Sequence, residues 1–484
     1  MVSALPLSLL LLFSAGSLSV HAGLVADELD YIVVATGSLK ANSVCSGFRV
    51  DPLLNHTTNW LPLSRPHGPC SAAQAAARPS SVAEILRWDQ HRADYINAKL
   101  SGELPQEDAL PVVQAQTTVI NHEGVIQPNL GTPKQSTGSQ MMSTTDPAAT
   151  TSRKLPGVRQ TMVLDTASDV PWVQCVPCPV PPCHPQTDAV YDPTKSGTYA
   201  AFSCSSPACR QLGPYSNGCS GSQCQYRVGY PDGSATMGTY VSDVLTLTPT
   251  AVVGEFRFGC SHHEAGARAF DNRTAGIMAL GGGPQSLVSQ TAGAYGDVFS
   301  YCLPSSPSYK GFFTLGVPRV RSSRFVVTPM ARNNRVPTFY VVVLEDLAVA
   351  GRRLGVPPAA FAAGAVMDSR SVITRLPPTA YAALRAAFVG GMGAYRRAAP
   401  KGQLDTCFDF AGAGAVRLPK IELVFRKNAA VELDPSGILF DDCLAFAPNG
   451  DDGMPGIIGN AQQQTLEVLY DVAGGAVGFR RAAC

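Results

Sequence analysis

Two apolar stretches of this chain each lead into an aspartate that small hydroxyl side chains follow. They are Met162–Ser168, with the sequence MVLDTAS, and Ala365–Ser371, with the sequence AVMDSRS. A single aspartate at the end of an apolar strand often does no more than cap a turn. Two aspartates in matching frames, Asp165 and Asp368, indicate instead a duplicated unit that presents two carboxylates to each other.

Short apolar runs bounded by turn residues continue from Gln160 towards the C-terminus, and they predict a mostly-β architecture. Two helices are predicted among them, Gln285–Tyr295 and Ala380–Met392, the second with Thr379 as its N-cap. The predicted strands are Thr161–Leu164, Gln225–Gly229, Thr239–Leu247, Glu255–Gly259, Phe312–Leu315, Phe339–Leu344, Ala365–Met367, Ile421–Phe425, Leu466–Tyr470 and Ala476–Phe479.

A second motif repeats in the same order as the acid motif. The apolar-glycine run Gly276–Leu280 in the first half resembles Gly456–Asn460 in the second half. Each half therefore has its acid motif first and its apolar-glycine motif later. This order predicts two duplicated β lobes that carry one acid each.

The segment before Pro128 has a different character, with one clear helical pattern. Ser81 and Glu84 have the spacing of a capping box at the start of a helix. Apolar and aromatic residues then recur at roughly helical spacing among charged ones: Ile85, Leu86, Trp88, His91, Tyr95 and Leu100. The pattern predicts a surface or docking helix. The segment is either a small extra domain or a pro-segment that covers a site until it is removed, and we favour the pro-segment because both acid motifs lie downstream.

Composition narrows the function classes. A chain of 484 residues is too long for one hydrophobic core, so two lobes of ordinary domain size are expected. The formal net charge is +1 and only 15% of residues are charged, which gives no electrostatic case for nucleic acid or an anionic membrane. The stretch Thr132–Arg153 is rich in Ser, Thr, Gln and Pro and is expected to be a loose loop or an exposed processing region.

The N-terminus and the cysteines indicate the secretory pathway. The apolar run Leu5–Phe13 is too short to span a bilayer, and with small residues up to Ala22 it predicts a cleaved signal peptide. An even number of cysteines, 14, then implies a disulfide framework. A zinc site at Cys175, Cys178, Cys183 and His184 fits on spacing alone, but an oxidising compartment disfavours it.

Two carboxylates held close together suggest a particular chemistry. They cannot both ionise easily, so they share a proton across acidic pH. One then accepts a proton from water while the other donates to a carbonyl, which is general acid–base hydrolysis without a metal or cofactor. Hydroxyls orient such carboxylates by hydrogen bonding, and both motifs supply them.

These motifs resemble those of the pepsin-type aspartic proteases, and most closely the plant nepenthesin-like group. The resemblance rests on collinear stretches: Met162–Cys175, Tyr230–Gly238, Phe258–Ser261, Leu287–Gln290, Phe299–Leu303, Ala365–Leu376, Ile458–Asn460 and Val468–Asp471. The cysteine-dense region between Cys175 and Cys224 is similar to an insertion of that group, and Ser80–Gly102 is similar to its pro-segment. The implied fold is a bilobal pepsin-like one with a cleft between two β lobes.

The expected domains are 1–22 (signal peptide), 23–128 (pro-segment), 129–320 (N-terminal catalytic lobe with a cysteine-rich insertion) and 321–484 (C-terminal catalytic lobe), and the resemblance implies the two lobes. Asp165 and Asp368 are then the catalytic pair. The resemblance also implies that Thr166 and Ser369 join the two acid loops and that Ser168 and Ser371 orient the carboxylates. Tyr230 would lie on the flap over the cleft with Trp172 behind it. Cys407 and Cys443 would form a disulfide.

This chain departs from the family pattern beside each acid. Ala167, Arg370 and Ala279 stand where the family has Gly, and Pro231 follows the flap tyrosine where Gly is usual. Arg370 adds bulk and a permanent charge, and a guanidinium that reached the acids would favour both as anions. The alternative is that Arg370 points to solvent and leaves the pair unchanged.

Two functions are therefore weighed. The first is a secreted plant aspartic endopeptidase, made as a zymogen, that acts as a monomer on polypeptides in the apoplast or vacuole. The second is a protease-shaped protein that binds peptide, wall polysaccharide or another enzyme without hydrolysis. The sequons at Asn55 and Asn272 predict a glycoprotein, with Asn272 alone kept after processing.

Overall fold

The computed structural model describes residues 30–39, 44–48, 60–65, 69–70, 81–102, 124–134, 157–178, 184–230, 233–265, 273–316, 324–333 and 335–484. The strands of the first half are β1 (Tyr31–Ala35), β2 (Trp60–Leu63), β3 (Val125–Ile126), β4 (Asn129–Leu130), β5 (Val158–Arg159), β6 (Met162–Asp165), β7 (Trp172–Gln174), β8 (Ala200–Ala201), β9 (Ser216–Ser220), β10 (Gln223–Gly229), β11 (Ala235–Thr246), β12 (Val252–Ala265), β13 (Gly276–Ala279), β14 (Val298–Cys302) and β15 (Gly311–Leu315).

The second half is equally rich in short strands. They are β16 (Val326–Pro329), β17 (Ala331–Arg332), β18 (Tyr340–Val342), β19 (Leu344–Val349), β20 (Arg352–Arg353), β21 (Ala365–Met367), β22 (Thr374–Leu376), β23 (Arg396–Ala398), β24 (Cys407–Asp409), β25 (Ala415–Pro419), β26 (Ile421–Phe425), β27 (Ala429–Glu432), β28 (Leu439–Phe440), β29 (Cys443–Leu444), β30 (Phe446–Pro448), β31 (Gly456–Ile458), β32 (Glu467–Asp471) and β33 (Ala476–Arg480).

Helices are few, and the first is the longest of those described. They are α1 (Val82–Ser101), α2 (Pro207–Gln211), α3 (Leu287–Tyr295), α4 (Pro378–Gly391), α5 (Pro435–Ile438) and α6 (Asn460–Gln463), with 3-10 turns at Thr36–Leu39, Pro193–Lys195, Gly213–Tyr215, Pro358–Phe361 and Arg426–Asn428. Among the described helices, none is long and apolar enough to cross a membrane. The mostly-β prediction is confirmed.

The two halves repeat the same strand arrangement around their acids. In the first lobe, β6 pairs in parallel with β13, which places Asp165 opposite Ala279. In the second lobe, β21 pairs in parallel with β31, which places Met367 opposite Ile458. The acid motif and the apolar-glycine motif are therefore neighbouring strands in both lobes, as expected of a duplicated unit.

A six-stranded sheet joins the lobes, in the order β16-β33-β32-β14-β15-β2. Its buried aromatic side chains pack across the boundary: the rings of Phe299 and Tyr470 stack with centroids 4.5 Å apart. Strand β2, from the N-terminal segment, forms one edge by pairing with β15. Leu61 and Leu63 of that strand lie in the core.

The N-terminal segment contacts both lobes. Strand β1 pairs with β25 of the second lobe, and a disulfide joins Cys45 to Cys70. Farther along, β3 pairs with β6, the strand that carries Asp165. The lobe boundary predicted after residue 128 stays a prediction, because strands on its N-terminal side, β2 and β3, both pair with lobe strands.

Two predicted helices differ from the observed ones at their starts. Helix α3 begins at Leu287 with Ser286 as its N-cap, two residues after the predicted start. Helix α4 begins at Pro378 with Pro377 at the N-cap position, so Thr379 is not the cap. The Thr379 hydroxyl contacts the Asp452 carboxylate instead, and proline at the first helical position needs no backbone donor.

The expected disulfide framework is present among the described residues. The pairs are Cys45–Cys70, Cys175–Cys260, Cys204–Cys219, Cys209–Cys224, Cys302–Cys484 and Cys407–Cys443. A zinc site at the cysteine-dense segment is disfavoured, because Cys175 is oxidised and both ring nitrogens of His184 contact Glu264 and the Thr274 carbonyl. Cys183 lies outside the described residues.

Candidate active site

The two aspartates are buried at the ends of matching strands. Asp165 is the last residue of β6 and Asp368 follows β21, and their side chains are 1% and 0% exposed. The apolar residues before each acid are buried in the lobe cores, which fixes the strands. Both carboxylates lie at the junction of the lobes, as a duplicated acid motif predicts.

Reciprocal hydrogen bonds join the two acid loops. The Ser369 N–H donates to Thr166 Oγ1 at 3.0 Å, and the Thr166 N–H donates to Ser369 Oγ at 3.2 Å. Each hydroxyl also donates across the boundary: Thr166 Oγ1 to the Met367 carbonyl at 3.1 Å and Ser369 Oγ to the Leu164 carbonyl at 3.0 Å. These four buried bonds hold the two carboxylates in a fixed relation.

Each carboxylate also has local donors. Asp368 Oδ2 accepts from the Ser371 hydroxyl at 2.6 Å and from the Ser371 N–H at 3.0 Å. Asp165 Oδ1 accepts from the Ala167 N–H at 2.9 Å. The role expected of Ser168 is not observed, because none of the hydrogen bonds to Asp165 within the described chain comes from its hydroxyl. The backbone at Ala167 provides the contact instead.

Arg92 of helix α1 binds both acids at once. Its Nη2 atom lies 2.7 Å from Asp165 Oδ1 and 2.6 Å from Asp368 Oδ1, and its Nε atom lies 2.5 Å from Asp368 Oδ2. One nitrogen therefore spans the pair. The Arg92 side chain is only 11% exposed, so solvent screens these contacts little.

Arg370 reaches the acids as well. Its Nη1 atom lies 3.2 Å from Asp165 Oδ2, with 18% of the side chain exposed. The alternative in which Arg370 points to solvent is therefore wrong. Burial alone would raise the pKa of Asp165, but the charges of Arg92 and Arg370 outweigh it and lower that pKa to about 2.

Helix α1 lies against both lobes. Lys99 Nζ is 3.4 Å from the Tyr215 hydroxyl of the first lobe, and Asn97 Nδ2 donates to Asn449 Oδ1 of the second at 2.9 Å. Ala167, one of the departures from the family pattern, belongs to the buried apolar cluster that Ala93 and Ile96 of α1 complete. The helix therefore covers the acids and the cleft beside them.

Tyr230 stands just after β10, at the start of the turn to β11. Its hydroxyl accepts a hydrogen bond from Trp172 Nε1 at 2.5 Å, and both rings belong to one buried cluster. Burial raises the pKa of Tyr230 well above its usual value. Trp172 thus holds the tyrosine hydroxyl, while Pro231 lies outside the described residues.

The remaining predicted sites are one disulfide and two glycosylation sequons. Cys407 and Cys443 form a disulfide between β24 and β29. The sequons at Asn55 and Asn272 lie outside the described residues.

The sequence interpretation did not identify Arg92, Asp89 or Arg375. Asp89 is buried in an ion pair with Arg375, which lies in β22 of the second lobe. Burial raises the pKa of Asp89, and the Arg375 charge opposes that shift. A signal did exist, because Ile85, Asp89, Arg92 and Ile96 follow one helical stripe, in which charged residues occupy positions that should be buried.

Comparisons with known proteins show what this chain is similar to. Models described as Xylanase inhibitor N-terminal and Xylanase inhibitor C-terminal match residues 149–317 and 339–481. An aspartyl protease family protein of Arabidopsis thaliana is 37% identical over 94% of this chain and 94% of its own length. Aspartic proteinase nepenthesin-2 of Nepenthes gracilis is 32% identical over 66% of this chain and 74% of its own length.

Among solved structures, Basic 7S globulin from soybean aligns with a TM-score of 0.56 at 19% identity, over 76% of this chain and 96% of the globulin. The structure titled edgp aligns with a TM-score of 0.58 at 18% identity, over 76% of this chain and 93% of that one. At such identities these two likenesses describe the fold alone.

Proposed function

Because the chain belongs to the plant pepsin-like aspartic protease family, we propose that it is a secreted endopeptidase made as an inactive precursor. The observation that carries the proposal is the pair of buried carboxylates, Asp165 and Asp368, which one nitrogen of Arg92 spans. Two acids so placed can share a proton once the arginine leaves, and a shared proton provides an acid and a base in one site.

The proposed chemistry is general acid–base hydrolysis of a peptide bond. The ionised carboxylate takes a proton from a water molecule, and the protonated one donates to the peptide carbonyl. Arg370 lies against Asp165 and favours the ionised form on that side. The Ser371 hydroxyl and the reciprocal bonds between Thr166 and Ser369 keep the acids oriented during proton transfer.

Helix α1 makes the described state a precursor. Substrate and Arg92 cannot occupy the same place over the acids, so the segment that carries α1 has to leave before hydrolysis. The predicted pro-segment of residues 23–128 contains it, and β3, near the end of that range, pairs with β6 of the first lobe. Removal within the connection between α1 and β3 fits both observations.

We place the enzyme in the secretory pathway, with the apoplast or the vacuole as its destination. The predicted signal peptide at residues 1–22 supports this location. The disulfides of both lobes support it further, since such bonds persist in oxidising compartments.

The test is cleavage of a denatured protein between pH 2 and 7 by the full chain, after it is cut at a site-specific protease sequence placed between residues 102 and 124 and the N-terminal piece is separated from the lobes. Asp165→Asn should lower turnover by roughly 10²–10⁴-fold, because the base is lost. Asp441→Asn, at an exposed position, should not change it. Wild-type inactivity, or an Asp165→Asn chain of equal activity, would contradict the proposal.

A second candidate function is a protease-shaped binding or inhibitory module. The contact between Arg370 and Asp165 favours it, because a permanent charge there withdraws the shared proton. The matching domain descriptions name an inhibitor. This candidate predicts an inactive processed wild type that gains hydrolysis with Arg370→Gly.

A further inference from the structure

Arg375 has polar partners that come from helix α1. Its Nη2 atom donates to Asp89 Oδ2 at 2.6 Å and its Nη1 atom to Gln90 Oε1 at 2.7 Å. Its Nε atom is buried without a hydrogen-bond partner among the described residues. The Arg375 side chain is only 3% exposed, and among the described residues the carboxylate paired with it is that of Asp89 in the helix.

Backbone donors converge on the same carboxylate. The Val372 N–H lies 2.5 Å and the Ile373 N–H 3.4 Å from Asp89 Oδ1. Asp89 is thus held like a ligand, with one oxygen on a guanidinium and the other on two backbone amides. Charge-assisted bonds of this kind are the strong ones in proteins.

The surroundings of this site are apolar. Val372 and Ile373 pack with Ile85 and Leu86 of α1 and with Leu404 in one buried cluster. Val372, Ile373 and Leu404 are not part of α1, and such apolar walls weaken screening, so a carboxylate gains more from Arg375 here than it would in water. An uncharged side chain would leave the guanidinium buried and unpaired, which is costly.

We propose that Arg375 and the Val372 and Ile373 amides form an acid-binding subsite of the substrate cleft, which Asp89 fills in the precursor. The proposal rests on the proposed function, in which α1 leaves and substrate enters. The processed enzyme then prefers a substrate with aspartate or glutamate at one position near the scissile bond.

The helix gives the distance from this subsite to the catalytic pair. Asp89 and Arg92 are three residues apart, which is about 4.5 Å along a helix axis. An extended substrate advances about 3.3 Å per residue. The preferred acid therefore falls within about three residues of the scissile bond, once the lengths of the side chains are allowed for.

The experiment compares matched peptides on the processed full chain. One cleaved peptide is varied so that glutamate and glutamine alternate at each of the three positions on either side of the scissile bond. At one position kcat/KM should favour glutamate by roughly 10-fold to 100-fold, the range expected for a hydrogen-bonded charge. Arg375→Gln should abolish this ratio, whereas Arg396→Gln, on an arginine 82% exposed, should preserve it.

Equilibrium binding of the same peptides to processed Asp165→Asn provides a readout that needs no turnover. Equal affinities of all glutamate and glutamine pairs would overturn the subsite even if the enzyme is active. A preference that survives Arg375→Gln would overturn it too. Loss of turnover in wild type, with an Arg375-dependent binding preference retained, would instead overturn the endopeptidase proposal and keep the subsite.

Discussion

Replacement of Arg370 by glycine should move the pH range of activity upwards. Arg370 Nη1 lies 3.2 Å from Asp165 Oδ2, and Arg370 belongs to the second lobe rather than to the segment that carries α1 and Arg92. A cation this close lowers a carboxyl pKa by about 1–3 units. The side chain is 18% exposed, so partial solvation argues for the lower part of that range.

The direction of the expected pH shift follows from the protonation state in which the pair of acids is active. The active pair carries one proton, so activity is confined between the two apparent pKa values of the pair. Arg370 favours the anion and lowers both values, which moves both limbs of the profile to lower pH. Arg370→Gly removes the charge, and we expect both limbs to rise by about 1–2 pH units.

The assay is kcat/KM against pH for the processed wild type, Arg370→Gly and Arg370→Lys, since this profile reports the free enzyme. Arg370→Lys keeps the charge and should stay near the wild-type profile. Coincident wild-type and Arg370→Gly profiles would refute the reasoning. An inactive wild type with an active glycine variant would mean that both limbs of the wild-type profile lie below the accessible pH range, and it would support the binding-module candidate.

Two further predictions concern helix α1, which covers the acids, and the hydrogen bonds between the two acid loops. In the unprocessed full chain, Arg92→Gln should raise basal cleavage by more than about 100-fold, because loss of a buried ion-pair partner costs about 3 kcal/mol or more of the energy that docks α1. The control is Arg87→Gln, at an exposed position of the same helix. Equal basal rates for wild type and Arg92→Gln would show that Arg92 does not hold the helix. Ser369→Ala should lower the free energy of unfolding by about 2 kcal/mol, since it removes the hydroxyl that pairs with the Thr166 N–H and the Leu164 carbonyl. Denaturant titration measures this change, and Ser369→Thr, which keeps the hydroxyl, should retain the wild-type stability. An alanine variant as stable as wild type would contradict the estimate.

The sequence was most informative where local pattern and chemistry coincide. The strands before Asp165 and Asp368 are short apolar runs, and the hydroxyls behind them sit at fixed offsets, so neither depends on distant contacts. The repeated order of the motifs was enough to predict two lobes with one acid each, whereas the pairing of β6 with β13 and of β21 with β31 came from the structure. The capping box at Ser81 and Glu84 was likewise visible, and it starts α1 at Val82.

Long side chains and buried helix faces were harder to predict. The apolar stripe assumed for α1 ran through Trp88 and Tyr95, which are only partly buried, whereas Asp89 faces the cleft wall. Charged residues count as surface residues in a periodicity argument, so a helix that docks through ions is assigned the wrong face. Arg370 posed a related difficulty, because a flexible side chain reaches either solvent or the acids from the same backbone.

The pairing of β2 with β15 has a consequence for how the precursor opens. A cut between α1 and β3 would leave two polypeptides that are still joined by backbone hydrogen bonds at the edge of the six-stranded sheet. The N-terminal piece would then behave as a subunit. Helix α1 would continue to bind in the cleft, because the paired strand β2 sets its effective concentration there.

Scission and dissociation are therefore separate events. Dilution, or competition for the exposed edge of β15, would govern how soon a cut molecule loses its N-terminal piece. A departed β2 would also leave β15 with unpaired backbone groups, the kind of edge that invites another strand. The same strand that completes the sheet of the precursor thus sets the lifetime of a nicked intermediate together with β1, which pairs with β25.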